Sequence, residues 1–110
     1  MRYINSPYVL WCEEIYDFKE QIWMFIQYMP GGELTKVLNM AKRIDHKLSE
    51  QFCKYTLFCV AKGVAALHKK NVLHRDVKSD NILFKTDGTI KVADLGFSVA
   101  LTKKETFRKT

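Results

Sequence analysis

The run His74-Arg75-Asp76-Val77-Lys78-Ser79-Asp80-Asn81, followed further along by Asp94-Leu95-Gly96, gathers the residue types best able to do chemistry. Asp76 offers a carboxylate that can accept a hydroxyl proton. Lys78, two residues on, offers a fixed positive charge, and in an extended loop residues two apart point to the same side. Asn81 supplies an amide oxygen and Asp94 a second carboxylate, both hard donors of the kind Mg²⁺ prefers. Whether those donors meet depends on the stretch between them. Ile82-Leu83-Phe84 and Ile90-Lys91-Val92-Ala93 read as strands, and Asp87-Gly88 as a two-residue hairpin turn, since both central residues need positive φ. Under that turn Thr86 faces Thr89 and Asn81 falls opposite Asp94, with Cβ atoms roughly 5 Å apart. A base beside a cation, next to a site for a hard metal ion, suits phosphoryl transfer, where catalysis is mostly positioning and charge neutralisation. The bland alternative is a pair of surface loops with ordinary charges, which would have to reach this order and spacing by chance.

The same stretch resembles the catalytic loop and metal-binding hairpin of eukaryotic serine/threonine protein kinases. The resemblance runs from about Asn5 to Thr110. It implies that Asp76 is the catalytic base, that Lys78 contacts the γ-phosphate and that Asn81 and Asp94 are the metal ligands. Lys78 two places after Asp76 is similar to serine/threonine rather than tyrosine kinases. Upstream, Ile26 resembles the gatekeeper and Gln27-Tyr28-Met29 the hinge that binds adenine through its backbone. Glu33 would then meet the ribose, and Leu83 would line the nucleotide site. Lys78-Ser79-Asp80-Asn81, Gly31-Gly32-Glu33-Leu34-Thr35 and Gly96-Phe97-Ser98 are similar to the sterile-twenty and p21-activated group. Leu95 stands where Phe is usual and Gln27 where Glu is usual; Leu95 can still pack as an apolar residue against His74. Arg75 before the base implies regulation by a phosphate on the activation loop, and Thr110 aligns at or next to that phosphothreonine.

The elements around these motifs are legible from patterning. Val9-Leu10-Trp11-Cys12 and Ile22-Trp23-Met24-Phe25-Ile26 have high β-propensity, with Asp17-Phe18-Lys19-Glu20-Gln21 as their connection. Pro30-Gly31-Gly32 ends the second strand. Leu34, Val37, Leu38 and Ala41 recur at helical spacing. A longer helix begins after Ser49, a good N-cap, with Glu50 in its first turn and an apolar stripe through Phe52, Thr56, Cys59, Val60, Gly63, Val64 and Leu67. It ends near Lys69-Lys70-Asn71, where His68 is expected to pack.

The fold class expected is therefore α+β, a kinase-like two-lobed fold with only its central part present. Residues 1–26 would close the small-lobe sheet, 27–33 form the hinge, and 34–110 begin the large lobe and reach the early activation segment. No Gly-rich phosphate loop, strand lysine or later Ala-Pro-Glu element accompanies the motifs in these 110 residues. That is the expectation for an excerpt of a kinase domain, inactive on its own.

Cys12, Cys53 and Cys59 form an odd set without metal-ligand spacing, which fits a reducing cytoplasmic or nuclear location; Cys12, in an apolar strand, is expected to be buried. No signal peptide or membrane span is expected, and Lys54 and Lys62 interrupt the long helix. The formal charge of +6 raises nucleic acid as a partner, but Lys42, Arg43 and Lys47, and Lys103, Lys104, Arg108 and Lys109, lack the interleaved aromatics of a base-stacking surface. The reading carried forward is transfer of the ATP γ-phosphoryl group to a protein Ser or Thr hydroxyl, with Mg²⁺ and an upstream activating kinase implied. The competing class is a non-catalytic kinase fragment that at most binds a protein.

Overall fold

The computed structural model describes residues 4–93 and the backbone of a strand at 99–100. Strands β1 (Cys12–Phe18) and β2 (Gln21–Ile26) pair antiparallel, with Phe18 opposite Gln21 and Ile15 opposite Met24. Only Lys19 and Glu20 connect them, both at positive φ (51° and 64°). That two-residue geometry matches the right-handed twist of the strands it joins. This corrects the expected boundaries. The β-prone residues Tyr16 and Phe18 carry the first strand on through the supposed connection. Its expected start does something else: Val9 bridges Val92 in parallel, and the Leu10 amide donates to the Val92 carbonyl at 2.8 Å. Cys12 is only half-buried, not buried, because it stands at the strand's irregular first turn of pairing.

After the hinge-like segment come β3 (Gly32–Glu33), α1 (Leu34–Arg43), α2 (Glu50–Lys69) and β4 (Val72–Leu73). A 3₁₀ turn (Ser79–Asn81), β5 (Ile82–Phe84), β6 (Ile90–Val92) and β7 (Val99–Ala100) follow. The sheet order is β3-β5-β6, with β4 paired to β7 separately. The two helices with small antiparallel sheets make an α+β fold. No helix among the described residues is long and apolar enough to cross a membrane.

Helix α2 starts as its residues dictate. Ser49 Oγ accepts the Phe52 amide at 3.0 Å, and Glu50 sits in the positively polarised first turn. It ends at Lys70, and Asn71 takes a left-handed φ of 59°. Thr56, Cys59, Gly63 and Leu67, four of the predicted stripe, are the buried face. Leu67 packs with Ile4, Val9 and Val72, while Cys59 packs with Ile82, Ile90 and Val92. Phe52 stacks on Phe84 at 6.0 Å. His68 corrects its expectation: it is exposed, because the stripe passes through Leu67 and turns the next residue outward.

The β5–β6 hairpin also differs from expectation, and by one residue. Phe84 pairs with Ile90 and Ile82 with Val92, so Asn81 stands opposite Ala93 rather than Asp94; the Ala93 amide donates to the Asn81 carbonyl at 2.7 Å. The loop has three residues, not two. Gly88 donates to the Lys85 carbonyl at 3.3 Å and takes φ 91°, while Lys85 donates to the Thr89 carbonyl at 2.9 Å. A tight turn followed by a left-handed glycine is the second common way to close a hairpin, and Gly88 satisfies it as readily as the two-residue form. The Thr89 amide donates to Asp87 Oδ1 at 2.9 Å, and bonding by Thr89 holds the Asp87 carboxyl below its ordinary value.

Two expectations follow. A Cβ on Gly63 would lie 2.7 Å from the Tyr8 carbonyl oxygen and 2.9 Å from Val92 Cγ2. Helix propensity favours alanine there by about 1 kcal/mol, yet overpacking against backbone costs more, so Gly63→Ala should lower stability by about 1–2 kcal/mol in urea unfolding. For Asp87 the depressed folded value means its contribution is present above the unfolded carboxyl value, about pH 4, and is lost as pH falls further. Asp87→Ala should therefore lower the thermal midpoint at neutral pH and converge on the parent protein in acid.

Candidate active site

The loop between β4 and the 3₁₀ turn is built on His74, which is 2% exposed. The Asp76 amide donates to His74 Nδ1 at 3.0 Å, so that nitrogen is bare and the ring proton sits on Nε2. Nε2–H then donates to the Ala93 carbonyl, 2.6 Å away. One imidazole thus pins the start of the loop to the end of β6. Arg75, between these anchors, adopts φ 73° and is exposed. A non-glycine residue holds that conformation only when its surroundings over-determine it, a pattern concentrated at functional loops.

Asp76 and Asn81 meet across the loop. Asn81, 5% exposed, uses its side-chain NH₂ to donate to the Asp76 carbonyl at 2.8 Å and to Asp76 Oδ2 at 3.2 Å. Both donors are spent on Asp76, which fixes the amide so that Oδ1 is left over. Among the described residues no hydrogen-bond donor is paired with that oxygen, which leaves it available as an acceptor. Lys78 Nζ lies 3.5 Å from Asp76 Oδ2, as the two-residue spacing implied. Asp76, Lys78 and Asn81 are therefore brought together. Asp94, Leu95 and Thr110 lie outside the described residues. Among the described residues no three His, Cys, Asp or Glu side chains gather as a metal-binding group.

The residues read as nucleotide-binding are divided between the β3-β5-β6 sheet, which holds Glu33 and Leu83, and the end of β2 with the segment after it, which holds Ile26, Gln27 and Met29. Met29 is buried with Leu10 and Ala93, and Leu83 packs on that cluster. Glu33 pairs with Leu83 across β3 and β5. Gln27 is half-buried beside Trp11 and Lys91, and Ile26 is exposed at the end of β2. The Gly32 amide bonds the Met29 carbonyl at 3.1 Å and the Gly31 amide bonds Phe84 at 2.8 Å, which docks the turn against β5. Among the described residues the Gln27 carbonyl and the Met29 amide have no backbone partner. Sequence reasoning missed the bridging role of His74 and the contact of Thr35 with the loop. For His74 the signal was available in principle, as a histidine bordering an apolar strand. For Thr35 no local pattern carries it.

The loop thus carries a carboxylate, an ammonium group and an oriented amide on an α+β scaffold. The protein kinase domain family matches residues 1–110, and the chain belongs to that family. It is 40% identical over 96 residues, 83% of this chain, to serine/threonine-protein kinase SKM1 of Saccharomyces cerevisiae, of which the match covers 15%. Serine/threonine-protein kinase CLA4 of Candida albicans is 39% identical over 90 residues, 82% of this chain and 9% of that protein. Serine/threonine-protein kinase CST20 of Candida albicans is 34% identical over all 110 residues, 9% of that protein. These relatives are serine/threonine kinases of the sterile-twenty and p21-activated group. The chain thus spans under one-sixth of the length of the curated relatives it matches.

Truncating His74 would open a cavity and leave the Ala93 carbonyl and the Asp76 amide unpaired. His74→Ala should cost about 2–4 kcal/mol by denaturant unfolding. His74→Phe, which restores volume without the ring nitrogens, should recover only part of that loss.

Proposed function

We propose that this chain carries the catalytic loop of a serine/threonine protein kinase, transferring the γ-phosphoryl group of ATP to a protein Ser or Thr hydroxyl. The observation that carries the reading is the orientation of Asn81. Its NH₂ is committed to Asp76, so its amide presents oxygen as the remaining donor atom. That donor suits a hard cation such as Mg²⁺, which protein kinases generally use with ATP. Asn81 and Asp94 are the residues proposed to hold it. When bound, the ion would neutralise phosphate charge.

Asp76 is proposed to take the proton of the attacking hydroxyl. The hydroxyl oxygen bonds to the γ-phosphorus as the bond to the β–γ bridging oxygen breaks. Lys78, anchored by Asp76 and half-exposed, faces the charge that develops on the transferred group. The Gln27 carbonyl and Met29 amide, without a backbone partner among the described residues, support the hinge reading, with Ile26 as gatekeeper, Leu83 beneath the base and Glu33 toward the ribose. On this reading residues 1–26 belong to the small lobe and 34–110 to the large lobe. Arg75, exposed in its left-handed conformation, would pair with a phosphate placed at Thr110 by an upstream kinase.

A second reading, a non-catalytic protein-binding piece, draws on the exposed aromatic face of Tyr16, Phe18, Trp23 and Phe25. The two part in experiment on the full-length protein. Asp76→Asn should leave nucleotide affinity close to normal and lower single-turnover phosphorylation by about a hundredfold or more, the pattern of an interaction made in the transition state. Asp94→Asn should weaken Mg²⁺-ATP binding as well, and Asn81→Ala should raise the Mg²⁺ requirement. Lys78→Ala should slow transfer by about a hundredfold. Phosphorylation at the parent rate by Asp76→Asn, or no ATP-dependent activity in the parent protein, would favour the binding piece. Thr110→Ala should abolish the response to an activating kinase without changing the basal rate.

A further inference from the structure

Thr35 is the second residue of α1, but its hydroxyl bonds outside its own helix. Its Oγ1 lies 2.7 Å from Ser79 Oγ and is also hydrogen-bonded to a carboxylate oxygen of Asp80. These partners are 44 and 45 positions away. An ionised carboxylate only accepts, so the Thr35 proton goes to Asp80. The bond to Ser79 must then run the other way, with Ser79 donating to Thr35. The result is a directed chain, Ser79 hydroxyl to Thr35 hydroxyl to Asp80 carboxylate, whose two outer members lie on the 3₁₀ turn that contains Asn81 or against it.

Helix α1 has a matching need. Its N-cap, Glu33, makes no side-chain capping bond, and its first turn contains no acidic residue. Asp80 brings negative charge to that positively polarised end from elsewhere in the chain. The turn itself is held on its other side by backbone. The Asn81 amide donates to the Lys78 carbonyl at 2.9 Å, and the Asn81 carbonyl accepts from Ala93 at 2.7 Å. Those bonds set the strand end, and the Asn81 side chain is tied to Asp76, while Ser79 and Asp80 are held from the α1 side by Thr35. Among the described residues, Thr35 is the side chain that hydrogen-bonds Ser79 and Asp80.

We propose that Thr35 is a positioning residue for the catalytic loop. The latch of Ser79, Thr35 and Asp80 sets the tilt of the turn, and with it the direction in which Asn81 Oδ1 and Lys78 face. This inference deepens the kinase reading of the loop and rests on it. It assigns α1 a second task, that of holding the loop's far side.

The test uses the full-length protein with Thr35→Val, which keeps the shape and removes the hydroxyl, and Thr35→Ser, which keeps the hydroxyl. Asp80→Ala approaches the latch from the other side. Three quantities are read: hydrogen exchange of residues 77–82 without nucleotide, the Mg²⁺ concentration for half-maximal phosphorylation, and the denaturant midpoint. Thr35→Val and Asp80→Ala should speed exchange and raise the Mg²⁺ requirement severalfold while the midpoint stays near that of the parent. Thr35→Ser should restore both. Unchanged exchange in Thr35→Val, or changes that follow the midpoint alone and are not rescued by Thr35→Ser, would overturn the proposal. If the parent protein transfers no phosphoryl group the kinase reading falls, while the exchange comparison still decides the latch.

Discussion

The interaction on which the rest of the site depends is the double bond-bridge through His74. Its Nε2–H reaches the Ala93 carbonyl at 2.6 Å and its Nδ1 receives the Asp76 amide at 3.0 Å. A loop between two short strands has no ladder of its own to hold it. Burying one imidazole that satisfies a backbone group on each side substitutes for that ladder. The left-handed Arg75 is tolerated because the residues before and after it are so constrained. The Asp76 side chain then has one place to go, and Asn81 locks it there. Each contact narrows the choices of the next, so the loop is ordered outward from a buried nitrogen.

The scaffold beneath follows the same economy. Leu67, Cys59 and Gly63 present a narrow buried stripe to β4, β6 and the Tyr8 carbonyl, and Gly63 lets α2 approach backbone closely enough for Val92 to be fully buried. Tyr55, on the same helix, donates to the Gly88 carbonyl at 3.3 Å, tying α2 to the hairpin turn below the site. The helix thus serves as the beam across which both ends of the β5–β6 hairpin are braced. By contrast β1 and β2 form a two-stranded ribbon exposed over most of its length, including Trp23 and Phe25. Such a ribbon is marginal alone and presents an aromatic surface that favours contact. The loop around His74 and this ribbon therefore rest on very different amounts of buried surface.

Much of this was legible in order along the chain. The caps of α2, its stripe, the short α1 and the approach of Asp76 to Lys78 follow from spacing of a few residues, which local periodicity and hydrogen-bonding habits determine. The β1–β2 boundaries were less legible. Val9 and Leu10 have the composition of a strand, and only the competing partner, Val92, decides that they bond there instead.

What the residues alone determined, then, is the chemistry: a carboxylate, an ammonium group and an amide oxygen within one short loop, on an α+β frame of the kinase family. What tertiary structure decided is how those groups are aimed. Asp87-Gly88 is compatible with two loop lengths, and the pairing of Phe84 with Ile90 selects the three-residue form, moving Asn81 from opposite Asp94 to opposite Ala93. Thr35 and Asp80 have no local reason to be related, being 45 positions apart, and meet only when α1 packs beside the turn. His68 turns out to solvent although its neighbour Leu67 is wholly buried. In each case residues close in sequence leave more than one arrangement open. Contacts from distant parts of the chain supply the difference, and those contacts exist only once the fold has closed.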